Sequence, residues 1–193
     1  SVSNAFAYLG IETKITGDPD ELELAQAIVL PGVGAFPDAA EKLRATGLDQ
    51  SVVKQGRKKP VLGICLGMQL LFEKSFEYGE HAGLGLVPGE VRDIRTVIPQ
   101  NLAVHHMGWN GLHFPADRPR SPIFADLAEG EHVYFVHSFA GFDCKGQCTA
   151  TTEYGAELTA AVQNGNVYGT QFHPEKSGDV GLRILKAFCG LEG

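Results

Sequence analysis

No apolar run in this 193-residue chain reaches the roughly 18 residues that a membrane span needs. The richest stretch, Val61 to Phe72, is interrupted by glycines and a glutamine. Basic residues are also scarce: 16 Lys and Arg stand against 23 Asp and Glu, for a formal charge of −7. That balance argues against a nucleic-acid partner, which needs cations to neutralise phosphates, and against docking on an anionic membrane. Cysteine is limited to Cys65, Cys144, Cys148 and Cys189, too few for a disulfide scaffold. The first residues, SVSNAFAYLG, lack the basic region and the cleavage site of a secretory signal. Free thiols in a reducing, cytoplasmic setting are therefore expected. His105, His106, His137 and the Cys144/Cys148 pair do not fall at zinc-ligand spacing, so no metal or other cofactor is expected.

Glycine is abundant instead. Its 24 residues are about 12% of the chain against an average near 7%. Tight turns, or backbone brought close to a ligand, account for such an excess. The remaining pattern alternates strands with helices. Ala27–Pro31 and Pro60–Ile64 read as buried strands, and Ala161–Gln163 with Val167–Phe172 as paired strands about Asn164-Gly165-Asn166. Val2–Leu9, Phe36–Thr46, Leu66–Lys74 and Gly178–Phe188 read as helices. Val87 to Thr152 is richer in short, irregular strands. The pattern predicts an α/β fold of three layers, with a mostly parallel central sheet flanked by helices and an additional mixed β region. One domain over residues 1–193 is expected.

The sharpest local signal is Gly63-Ile64-Cys65-Leu66-Gly67, between a buried strand and a helix. Small flanking residues permit the abrupt strand-to-helix turn of a nucleophile elbow, with Cys in the nucleophile's place. The turn presents Cys65 at the carboxyl end of the sheet, where α/β proteins bind ligands. The helix that follows favours thiolate, and the backbone N–H of Leu66 is placed for a developing oxyanion. The plainer reading of a lone cysteine is a small buried hydrophobe. A thiolate needs a base, and Gln171-Phe172-His173-Pro174-Glu175 offers His173 at a strand end with Glu175 close enough to orient it. By itself, His-Pro-Glu is more often a surface turn. Pro31-Gly32-Val33-Gly34-Ala35-Phe36 follows the first strand and frees backbone N–H groups to face an anion. A phosphate loop is the competing reading, but neither G-K-[ST] nor G-x-G-x-x-G is present. As an oxyanion loop it would act through the N–H of Val33.

Taken together, in this order and spacing, the three segments resemble the class I triad glutamine amidotransferases, whose fold is flavodoxin-like. The resemblance covers almost the whole chain. Gly83–Gly89, His106-Met107-Gly108-Trp109-Asn110, Tyr134–Ser138 and Gln171–Lys176 are most similar to the glutaminase subunits of imidazole glycerol phosphate synthase. The resemblance implies glutamine as substrate and Cys65, His173 and Glu175 as a catalytic triad. It implies Gly34, Gln69, Ser138 and Phe139 as pocket residues. It also implies a heterodimer with a (β/α)8-barrel cyclase that receives ammonia, and Met107, Trp109, Tyr134 and Lys176 facing that partner. Each of those four has a bland alternative as a surface charge or a packing residue. Family members begin with a further short strand and turn, so a segment ahead of Ser1 is expected to be missing. The stretch Thr96–His105 is longer and less basic than the resemblance implies. A glutaminase of another amidotransferase, a γ-glutamyl hydrolase and a catalytically silent binding subunit stay open as alternatives.

Overall fold

A computed structural model describes residues 1–193. In chain order the elements are helices α1 (Val2–Tyr8) and α2 (Pro19–Leu24), strand β1 (Ile28–Leu30), helices α3 (Phe36–Thr46) and α4 (Leu48–Gly56), strand β2 (Val61–Ile64) and helix α5 (Leu66–Leu70). Then follow β3 (Phe72–Ser75), β4 (His81–Ala82), β5 (Val87–Asp93), β6 (His106–Gly111), β7 (His132–His137), β8 (Phe139–Phe142), β9 (Cys148–Glu153), β10 (Glu157–Asn164), β11 (Val167–Thr170) and α6 (Gly178–Cys189). The central sheet runs β1-β2-β11-β10-β9. Parallel pairing of β1, β2 and β11, and antiparallel pairing of β10 with both neighbours, leave four of the five strands pointing one way. The expected mixed β region is a four-stranded sheet, β4-β3-β5-β8, and the two-stranded pair β6-β7.

The central strands are apolar on both faces because both faces are covered. On β2, Leu62 and Ile64 enter one cluster with Phe6 of α1 and Ile184, Leu185 and Phe188 of α6. Val61, of opposite parity, joins Met68, Leu71, Phe72 and Val52 on the other face. This is the two-residue period of a strand sorting side chains into two layers. Full burial of a Leu, Ile or Phe in either layer is worth about 1.5–3 kcal/mol.

At the centre of the sheet the alternation is interrupted for a purpose. Gly63 of β2 lies in register beside Gly169 of β11, and together they form a floor without side chains. Helix α5 rests on it. A Cβ at Gly63 would stand 2.6 Å from the Gly67 carbonyl oxygen, and one at Gly169 would stand 2.6 Å from Met68 Cγ. A Cβ at Gly67 would overlap the Leu30 carbonyl oxygen of β1.

Two readings of the sequence need correction or addition. The helix expected over Leu66–Lys74 stops at Leu70, and Phe72–Ser75 is a strand paired in parallel with β5. Leu70, Leu71 and Phe72 are all fully enclosed. An advance of 100° per residue would turn some of that run out of the core, so sheet pairing overrides helical propensity. The pattern also does not bring out α2 and α4, because α2 buries nothing and α4 buries only Val52, Gln55 and Gly56.

Replacing Gly67 by Ala is expected to cost about 3 kcal/mol, since the rigid neighbour is backbone. Gly146→Ala, at a site with open space around it, is expected to stay within about 0.5 kcal/mol of wild type. Urea unfolding of the two variants checks both.

Candidate active site

The floor of glycines dictates the geometry of the nucleophile. The chain must leave β2 and turn at once into α5, and Cys65 absorbs the turn with φ 55° and ψ −110°. That conformation costs a non-glycine residue about 1–3 kcal/mol and persists only where packing enforces it. The strain falls on the residue whose side chain is thereby presented at the strand's carboxyl end, as the elbow reading expects.

Three elements converge on Cys65. Its Sγ lies 3.8 Å from the Val136 carbonyl oxygen of β7 and 3.7 Å from Nε2 of Gln171, just beyond β11. His173 follows on the same chain segment. Its Nδ1 lies 3.0 Å from Glu175 Oε2, and both side chains are almost wholly buried. Burial opposes a charge on His173, but the Cys65 side chain and Glu175 outweigh it and push the imidazole up to about 9. The triad residues are thus brought together, with Cys65 on one side of the ring and Glu175 on the other. The segment is braced from behind. Ser177 Oγ donates to the His173 carbonyl at 2.6 Å and accepts the Tyr134 N–H at 3.0 Å, while the His173 N–H donates to the Tyr134 carbonyl at 3.1 Å.

The glycine loop ahead of α3 sits beside the elbow. A Cβ at Gly32 would meet Leu66 Cβ at 3.1 Å and the Gly67 nitrogen at 3.3 Å. Val33 is therefore one residue from the backbone of Leu66, with its side chain 90% exposed. Gly34 has φ 91° and open space about it. Glu77 secures the loop's far end, its Oε2 accepting the Phe36 N–H at 2.9 Å.

The remaining pocket residues are placed differently. Gln69 is buried, and its Nε2 donates to the Phe139 carbonyl at 3.1 Å and to Gln171 Oε1 at 3.2 Å. Ser138 Oγ lies 2.9 Å from His105 Nδ1. The Phe139 carbonyl also accepts from His137 Nδ1 at 2.8 Å. His137 Nε2 lies 2.8 Å from His106 Nδ1, and His106 Nε2 lies 2.8 Å from Asn110 Oδ1. His106 is stacked between Phe135 and Tyr154. Burial holds His106 below its ordinary range and drives His137 down to about 3. These histidines brace one another and the strands that carry them.

Met107, Trp109 and Tyr134 gather on the outer face of β6-β7, where Trp109 pairs with Tyr134 at 5.9 Å between ring centroids. Met107 is 59% exposed and Trp109 53%, too open for core residues. Lys176 is exposed in the 3-10 turn that carries Glu175. The sequence reading assigned no role to Gln171, Glu77 or Ser177. For Gln171 a signal existed, since strand alternation places residues 171 and 173 on one side.

An elbow cysteine, a histidine and a carboxylate in a chain of contacts, on a sheet of this topology, form the arrangement that thiol-dependent hydrolysis requires. Residues 1–189 match the glutamine amidotransferase class-I family, and the chain belongs to that family. It is 48% identical over 191 residues to the imidazole glycerol phosphate synthase subunit HisH of Lacticaseibacillus casei, covering 97% of this chain and 88% of that one. The subunit of the same name from Sulfurimonas denitrificans is 47% identical, with 97% and 90% covered. Among solved structures, a glutamine amidotransferase and PurLQS from Thermotoga maritima each superpose with a TM-score of 0.72 at 22% identity. They cover 97% of this chain and 92% and 90% of their own, and carry the fold alone.

The raised His173 adds stability that is fully present below its unfolded value near 6.5 and is lost as pH rises through about 9. The depressed His137 works in the other direction. Its contribution is present above about 6.5 and is lost as pH falls toward 3. NMR titration of the imidazoles should show His173 losing its proton near 9, and Cys65→Ala should move that midpoint down. An unmoved midpoint would break the link between the two residues.

Proposed function

We propose that this chain is the glutaminase subunit of an imidazole glycerol phosphate synthase, hydrolysing glutamine to glutamate and ammonia through Cys65, His173 and Glu175. The observation that carries the reading is the contact chain from the strained Cys65 through His173 to Glu175. The family membership and the HisH relatives support it. In this mechanism the Cys65 thiolate attacks the side-chain amide carbon. The N–H groups of Leu66 and Val33 receive the oxyanion, which is stabilised where charge develops. His173 gives its proton to the leaving nitrogen, so ammonia departs and a thioester remains. The neutral imidazole then takes a proton from water, which attacks the thioester and releases glutamate. Glu175 holds the ring and balances its charge. Gly34, Ser138 and Phe139 would line the glutamine pocket, and residues 1–193 would act as one glutaminase domain in the cytoplasm, where the four free thiols stay reduced.

The partner would be a (β/α)8-barrel cyclase that uses the ammonia to form imidazole glycerol phosphate and an aminoimidazole carboxamide ribotide. Direct transfer matters because protonated ammonia is no longer a nucleophile, and water exclusion prevents that loss. The outer face of β6-β7, with Met107, Trp109 and Tyr134, supports this placement, with Lys176 at its margin. The other edge of β7 holds the catalytic residues, since the Tyr134 and Val136 carbonyls bond His173 and Cys65. A cyclase on this face would sit one strand from the nucleophile. Occupancy of the cyclase would then bias the exposed Gly32–Gly34 loop toward the state in which Val33 N–H faces the substrate, a coupling between sites.

Glutamate release from glutamine, alone and with a cyclase and its nucleotide ligand, tests the reading. Activity is expected chiefly in the complex, with imidazole glycerol phosphate as product, and Cys65→Ala is expected to lower it by at least about 10⁴-fold. Retained hydrolysis in that variant would sink the triad, and glutamate without imidazole product would point to a different amidotransferase. Trp109→Ala is expected to weaken cyclase binding by about 2 kcal/mol, measured by calorimetry. Unchanged affinity would move the interface elsewhere.

A further inference from the structure

The short α5 leaves the thiolate with less help than a long helix would give. Five residues sum few peptide dipoles. The Val136 carbonyl accepts from the Cys65 thiol but offers nothing to a thiolate. Besides the His173 imidazole, the side-chain N–H that reaches the sulfur belongs to Gln171.

The direction of that N–H is set by a fixed point three groups away. The Phe139 carbonyl can only accept, and both of its lone pairs are engaged, by His137 Nδ1 and Gln69 Nε2. Gln69 must therefore present its nitrogen there. Its second amide hydrogen goes to Gln171 Oε1. With the oxygen taken, Gln171 must turn Nε2 toward Cys65 Sγ. Flipping either amide would set oxygen against oxygen or nitrogen against nitrogen inside a region where Gln171 is fully buried and Gln69 nearly so. Such unmade pairs are costly in a buried site.

We infer that Gln171 is a donor to the Cys65 thiolate and that Gln69 is its positioning residue, the two amides forming a relay anchored on the Phe139 carbonyl. The inference rests on Cys65 as the nucleophile. It adds a part in the nucleophile's environment to the place in the glutamine pocket that the resemblance implies for Gln69, whose Oε1 takes part in neither bond. The Gln69 amide already spends both hydrogens inside the protein. A hydrogen bond to an ionised acceptor is about twice as strong as one to a neutral group, so the relay favours thiolate over thiol. The titratable group facing Cys65 is His173, with Glu175 behind it. His137, on β7, is directed at the Phe139 carbonyl and is neutral except in strong acid.

The test is the pH profile of iodoacetamide alkylation at Cys65 in the full chain, read by peptide mass spectrometry. Gln171→Met removes the donor at similar volume, and its midpoint is expected about one pH unit higher, with alkylation about 10-fold slower on the acid side. Gln171→Glu keeps an acceptor for Gln69 and the packing, and adds a negative charge, so its midpoint should rise further. It carries the test if the Met variant does not fold. Gln69→Met should shift the midpoint in the same direction by less. In the glutaminase assay with cyclase, the Gln171 variants should lose kcat with little change in KM for glutamine. Unchanged midpoints in folded variants would overturn the relay while leaving the nucleophile intact. So would an unshifted profile for Gln69→Met, which leaves Gln69 to the substrate pocket alone. If Cys65→Ala retains glutamate release, the nucleophile itself is wrong and the relay falls with it.

Discussion

The close approach of α5 to the central sheet is the constraint on which the rest of the site depends. Gly63 and Gly169, side by side on β2 and β11, remove the side chains that would hold the helix farther from the sheet. Gly67 then seats the helix against the Leu30 carbonyl. Only with the helix this near must the chain reverse within one residue, and that residue is Cys65. The strained backbone of Cys65 is a consequence of packing, and the core clusters on both faces of the sheet supply the free energy that maintains it.

Around that fixed sulfur the protein arranges donors and acceptors by backbone anchors. The Tyr134 and Phe139 carbonyls are the two fixed points. Tyr134 and Ser177 hold the main chain of His173, and Phe139 orients the Gln69 and Gln171 amides. Backbone anchors are rigid because the strands carrying them are themselves laddered. They therefore set proton positions that flexible side chains could not. The buried imidazoles divide by the same logic. His173 faces groups that favour its charge, whereas burial among each other and aromatic rings disfavours charge on His137 and His106.

Strand β7 ties this chemistry to the outside. Its inner side chains pack the core, one edge pairs with β6, and the other edge accepts from Cys65 and His173. On its outer face Tyr134 meets Trp109 of β6. Anything seated on that face touches a strand whose carbonyls position the reacting groups, with no intervening layer to absorb a displacement.

Much of this was legible without coordinates. The buried strands β1 and β2, helices α3 and α6 and the β10-β11 hairpin follow from local apolar period and turn chemistry, and so do the candidates Cys65, His173 and Glu175. The pattern failed at Phe72–Ser75, where a distant partner, β5, converts an apolar run into a strand. It was also silent on Glu77, which meets Phe36 across 41 residues. Gln69 was legible as a site residue but not in its role, because its partners lie 70 and 102 positions away. The sequence by itself determined which residues carry chemistry and which glycines permit the turn, because side-chain type and steric freedom are local properties. Only the tertiary structure decided which way each buried amide and imidazole points, because that orientation is dictated by fixed carbonyls that distant segments bring into reach.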